Sequence, residues 1–170
     1  VLGVARLLLQ MPIDALLLTL VRVVSAVQTL IAIEPVGRRL DECERALLRR
    51  VFGSGIDDRP LRLKHGRLGL LGLPGAAFAM CDTIHLPARH RRSTSRHTGA
   101  ARDLRSLADC APALLVHELV HVWQHQRHGT RYLSECLLAQ RLGEGYNVAV
   151  ALEAGRPWEA LNFEQQAELL

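Results

Sequence analysis

The first 33 residues are apolar almost throughout, and their few polar side chains recur at helical spacing. Arg6, Gln10, Asp14, Arg22, Ser25 and Gln28 form a narrow stripe that leaves a wide apolar face. The pattern predicts an apolar N-terminal helix in which Pro12 either starts a second helix or kinks a long one. Charges at Arg6, Asp14 and Arg22 leave no window of ~18 uncharged apolar residues, so a membrane-spanning helix is not expected. The apolar face still needs a cover, which can be the rest of the domain, a protein partner or a membrane surface. Pro35 and Gly37 close the segment, and residues 36–40 read as a connection. We therefore divide the chain into an apolar helical segment, 1–35, and a domain, 36–170.

Beyond that point the pattern alternates between periods. Asp41 with Glu44 three residues later is a capping box, opening a helix through Val51 with Gly53 at its C-cap. Residues 61–65 alternate apolar and polar as a half-buried strand does. Residues 66–75 hold four glycines and Pro74 and read as a loop, and residues 77–86 read as a second strand ending before Pro87. Pro112 opens a helix whose apolar face is Leu114, Leu115, Leu119 and Val122, and Gly129 stops it. Asn162 with Gln165 at N3 caps a last helix. The expected class is α+β, mainly helical with a small sheet.

Composition narrows the picture only slightly. A chain of 170 residues with 49% hydrophobic and 22% charged side chains is one globular domain's worth, which excludes global disorder. The net charge of +4 is concentrated in residues 89–105, where no aromatic residue interleaves the arginines. Base stacking has no platform there, so no specific nucleic-acid partner is expected. The four cysteines, Cys43, Cys81, Cys110 and Cys136, form no Cys-x-x-Cys pair, which removes zinc ribbons and dithiol redox motifs. Scattered thiols of this kind suit a reducing compartment.

The chemistry lies in residues 117–121, His-Glu-Leu-Val-His. Two histidines four apart on a helix project from one face and can converge on one zinc ion. Glu118, rotated about 100° from His117, falls beside the ion without taking a ligand position, which suits a general base acting on zinc-activated water. His125 and His128 lie further around the helix and read as surface groups or as supports behind the ligands, not as ligands. Gln124 and Arg127 occupy the positions where a metzincin needs glycine and histidine, so that subclass is excluded. A downstream glutamate is then the expected third ligand, from among Glu135, Glu144, Glu153, Glu159, Glu164 and Glu168. Glu164, in the first turn of the capped last helix, is favoured. Glu168 shares its face and can accept the N–H of a ligating histidine. An oxyanion stabiliser is also needed, with Tyr146, Tyr132 and His128 as candidates. The segment 79–86 is expected to offer a strand edge to an extended peptide.

The run Val116–Gln126, followed by Gly155-Arg-Pro-Trp158 and Phe163-Glu-Gln-Gln-Ala-Glu168, resembles a bacterial zincin-like metallopeptidase family. Its members accompany polymorphic toxins and contractile injection systems, and some are Vgr-related. The resemblance covers roughly residues 40–170. It implies a zincin-like fold and a gluzincin-type site, with His117, His121 and Glu164 on Zn2+, Glu118 as base and Glu168 supporting a ligand. Glu168 stands where gluzincins carry aspartate. The implied function is zinc-dependent hydrolysis of a peptide or protein substrate, in the bacterial cytoplasm or as a secreted effector. Two other expectations are a non-catalytic zinc-binding adaptor, and a membrane-associated toxin acting through the N-terminal helix.

Overall fold

The computed structural model describes residues 2–32, 36–65, 77–86 and 106–170. The glycine-rich loop expected at 66–75 and the basic stretch at 89–105 lie outside the described residues. Among those described, the element order is α1 (Leu2–Leu30), α2 (Glu42–Phe52), β1 (Arg62–His65), β2 (Phe78–Met80), β3 (Thr83–Leu86) and α3 (Leu107–Cys110). Then follow α4 (Pro112–His128), α5 (Arg131–Leu142), α6 (Val148–Glu153), a 3-10 turn at Trp158–Ala160 and α7 (Phe163–Leu169). The class is α+β, mainly helical with one three-stranded sheet.

The sheet order is β1-β3-β2, with β1 parallel and β2 antiparallel to the central β3. Leu63 and Ile84 sit side by side on one sheet face and are almost wholly buried. They meet Leu48 of α2, Leu107 of α3, and Leu115, Leu119 and Val122 of α4 in one core. Burying side chains of this size stabilises each by roughly 1.5–3 kcal/mol, so the sheet and α4 hold each other in place. Residues 77–86 form two strands rather than the one expected. The chain reverses at Cys81 and Asp82, with Cys81 at φ 54°. A non-glycine residue in that left-handed region carries no sequence signal, and tertiary bonds described below hold it there.

Glu44 does more than close the capping box of α2. Its wholly buried carboxylate receives both guanidinium nitrogens of Arg38 at 2.7 Å and the backbone N–H of Leu107 at 3.0 Å. Arg38 in turn bridges to Leu63 of β1 through backbone bonds. One carboxylate thus ties α2, α3 and the edge of the sheet together.

The N-terminal segment is one helix, running through Pro12 rather than restarting there. It packs on α5, and its orientation reverses the simple amphipathic expectation. The polar residues Asp14, Ser25 and Gln28 face inward. Asp14 and Gln28 are buried, and Ser134 of α5 donates to Asp14 at 2.7 Å. Lys64 donates to the hydroxyls of Ser25 and Thr29 at 3.2 and 3.1 Å. Of the apolar residues, Leu18 is buried, whereas Leu16, Leu20, Val23, Val27 and Leu30 are exposed. Polar partners on the body, rather than apolar area, decide which side of α1 docks.

Candidate metal centre

Because Leu115, Leu119 and Val122 commit one side of α4 to the core, His117 and His121 point to the other side, toward α7 and α5. Their rings are edge to face with centroids 5.0 Å apart. The Asn162 capping box sets the start of α7, and Glu164 in its first turn is buried against both rings. Glu164 Oε2 lies 3.5 Å from His121 Nε2 and 3.8 Å from His117 Nε2. One donor atom from each of these three residues lies within 4.8 Å of the others. Tetrahedral ligands at ~2.0–2.2 Å from zinc sit about 3.4 Å apart, so a small closure of the triangle fits the ion. The fit has independent support: Glu164 Oε2, the oxygen that faces both imidazoles, is buried without a hydrogen-bond partner. A buried acceptor of that kind is costly unless a cation completes it.

Neighbouring groups aim the ligands. His121 Nδ1 lies 2.9 Å from Gln124 Oε1, and the Gln124 amide donates to the Phe163 carbonyl at 2.9 Å and to Gln166 Oε1 at 3.1 Å. With Gln124 fixed as acceptor, Nδ1 carries a hydrogen and Nε2 is the ring nitrogen turned to Glu164. The Cys136 thiol also approaches His121 Nδ1, at 3.7 Å. Gln140 donates to Glu164 Oε1 at 2.9 Å and to the Tyr146 hydroxyl at 2.9 Å. Sequence reading passed over Gln124 and Gln140. Gln124 sits three residues beyond His121 on the same helix, which was the only local signal of its part.

The remaining glutamates go elsewhere. Glu135 pairs with Arg131, Glu144 with Arg156, and Glu153 and Glu159 are exposed. Glu168 comes within 3.6 Å of His117 Nδ1, longer than a hydrogen bond, and its side chain is 55% exposed. The Ala167 carbonyl is also within the reach of the His117 ring. His125 Nδ1 lies 3.2 Å from the Gly129 carbonyl, and His128 stacks on Phe163.

Charge balance follows the burial. Burial, and then the neighbouring His121, hold His117 below the usual histidine range, in the neutral form a ligand needs. Burial pushes His121 down, but the Cys136 and Glu164 contacts outweigh it and hold the ring protonated well above its ordinary value. Glu164 is likewise pushed up by burial and pulled further down by His121. Without a metal, then, a proton on His121 compensates the buried carboxylate.

Glu118 is 3% exposed, and burial pushes its carboxyl up to about 7 despite the nearby His121 and the Ala79 backbone N–H. Its Oε2 has no hydrogen-bond partner. Glu118 shares a cleft of about 360 Å³ with the two histidines and Glu164. Leu17 and Val21 of α1, Phe78 and Met80 of β2, and Leu133 and Leu137 of α5 supply apolar walls, so the N-terminal helix helps to build it. Tyr146 stands at its rim with its ring 5.9 Å from that of His117. Burial, then Glu164 and Glu118, push its hydroxyl up to about 12, so it keeps its proton.

Tyr132 has a different part from the one expected of it. Its buried hydroxyl accepts from the Cys81 backbone N–H at 2.9 Å and donates to the Ala79 carbonyl at 3.2 Å. These groups belong to the outer side of edge strand β2, and β3 is central in the sheet. The strand edge expected for a peptide across 79–86 is therefore closed at Ala79 and Cys81, because Tyr132 already satisfies its backbone.

Set beside known proteins, the chain is 30% identical over 147 residues to the type VI secretion system spike protein VgrG2b of Pseudomonas aeruginosa. The chain is similar to a secretion-system spike protein. The match covers 79% of this chain and 12% of the relative's length. Among solved structures, the effector domain of the same VgrG2b shares 25% identity, with coverage of 88% of this chain and 80% of that one, at a TM-score of 0.48. No protein-family model matches the chain.

Proposed function

We propose that this chain is a zinc-dependent peptide hydrolase with a zincin-like fold, acting as a secretion-system-associated effector. The observation that carries the catalytic reading is the convergence of His117, His121 and Glu164 beside a buried Glu118, whose Oε2 has no hydrogen-bond partner, in one cleft. The similarity to the spike protein VgrG2b supports the secretion-system context. In this reading His117, His121 and Glu164 hold the ion, and a bound zinc would supply a Lewis acid that polarises a carbonyl and brings water's pKa to about 7. Glu118, with its carboxyl poised near neutrality, takes a proton from the attacking water and hands it to the leaving amine. Tyr146 keeps its proton and donates from the rim to oxygen charge developing on the scissile group. Gln124 and Gln140 hold His121 and Glu164 in place. Because Tyr132 closes the β2 edge, the substrate is bound by the apolar walls of the cleft more than by strand pairing along Ala79–Cys81.

The test is metal analysis together with cleavage of a broad peptide library by wild type and Glu118→Gln. Equal zinc in both with cleavage by wild type alone is the expected result. Zinc in wild type with no cleavage of any peptide would overturn the hydrolase reading and leave a zinc-binding adaptor.

A further inference from the structure

The fold treats the two oxygens of Glu164 differently. Oε2 faces both imidazoles and has no hydrogen-bond partner, whereas Oε1 accepts from the Gln140 amide at 2.9 Å. The residue is 1% exposed, so bulk water reaches neither oxygen freely. Gln140 stands near the end of α5, on the lining of the cleft. Its amide nitrogen has two hydrogens to give. One goes to Glu164 Oε1 and the other to the Tyr146 hydroxyl, also at 2.9 Å. The second bond fixes the roll of the amide, so Nε2 cannot swing away from Oε1 without giving up Tyr146 as well.

We propose that Gln140 is a positioning residue that keeps Glu164 a one-oxygen ligand: by holding Oε1, it leaves Oε2 alone to meet a metal. This role presupposes the metal site proposed for His117, His121 and Glu164. A carboxylate can give a cation one oxygen or both. With two histidines, a single oxygen completes three protein ligands and leaves the fourth position for water, whereas a second oxygen would compete for it. Burial is the reason a hold is needed. At a residue so enclosed, an Oε1 released from its donor has the cation as its strongest remaining partner. Gln140 thus governs how many positions the protein takes, and Gln124, on the far side of His121, has no such part.

The test loads the full chain with Co2+ in place of zinc and reads its visible absorption. A four-coordinate ion absorbs strongly and a five-coordinate one faintly, so the band reports how many positions are filled. Wild type is expected to show the strong band. Gln140→Met keeps the length of the side chain but has no hydrogen to donate. Residue 140 is exposed, so the fold is not at stake, and unchanged circular dichroism checks this. The cobalt band of Gln140→Met is expected to weaken toward the five-coordinate intensity, and cleavage by its zinc form to fall about tenfold. Tyr146→Phe leaves the Gln140–Glu164 bond in place and is expected to keep the strong band. A faint band in wild type, or a strong one in Gln140→Met, overturns the proposal. An equal loss in Tyr146→Phe and Gln140→Met overturns it too. A wild type that takes up no cobalt overturns the metal site and this role with it. A chain that holds cobalt but cleaves no peptide loses only the hydrolase reading, and the bands still decide the part of Gln140.

Discussion

A carboxylate that is 3% exposed and has one oxygen unpartnered costs the folded chain stability whenever it is ionised. For Glu118 the sign is set by a folded value of about 7 against an ordinary 4.5. Below 4.5 the group is protonated in both states and there is no cost; above about 7 the cost is full. Lifting a buried carboxyl that far corresponds to on the order of 3 kcal/mol. Metal-free Glu118→Gln is therefore expected to be more stable than wild type at pH 8, with most of the gain gone at pH 5. Urea denaturation at the two pH values measures it, and an equal gain at both would contradict the account. Glu164 and Glu168 separate in the same way by burial. Glu164→Ala removes the oxygen facing both histidines, whereas Glu168→Ala removes an exposed group 3.6 Å from one ring. Zinc retention against a chelator is expected to fall far more for the first. At this scale the sequence was most legible where geometry is local: an i, i+4 pair on a helix fixes its own convergence. Gln124 was not legible, because its partners Phe163 and Gln166 arrive from some 40 residues away.

Between elements, capping boxes carried the boundaries of α2 and α7, since each is settled within four residues. The hairpin of β2 and β3 was read as one strand because its reversal rests on Cys81, whose left-handed backbone is held by Tyr132 rather than by a turn residue. Tyr132→Phe leaves a buried N–H and a buried carbonyl without partners, each costing roughly 1–3 kcal/mol. The variant is expected to lose about 2 kcal/mol or more in denaturant unfolding while keeping its zinc, because the hydroxyl touches no ligand. A neutral result would mean that the β2 edge finds other partners. The docking of α1 shows the complementary failure of pattern reading. A stripe of polar residues normally marks the wet side of a helix, yet Asp14, Ser25 and Thr29 found Ser134 and Lys64 on the body. Such partners are invisible until the rest of the chain is folded.

Across the molecule, the metal-free charge balance makes ion binding a proton exchange. His121 holds a proton against Glu164 that a cation must displace, so affinity is expected to rise with pH. Displacing one proton corresponds to about tenfold per pH unit below the histidine's own titration. Competition with a zinc chelator at pH 6 and pH 8 measures the slope, and a flat profile would show that no proton is exchanged. The same geometry has a consequence for the chain as a polymer. His121 and Glu164 are 43 positions apart, and α5, α6 and the 3-10 turn lie between them. An ion joining the two closes that loop as a cross-link does, and constraining a loop of this length is worth roughly 4 kcal/mol of unfolded-chain entropy. With the ion removed, α7 is a seven-residue helix with little propensity to persist alone. Chelation would then loosen the carboxy-terminal half first and leave the sheet and α2 closed around Glu44.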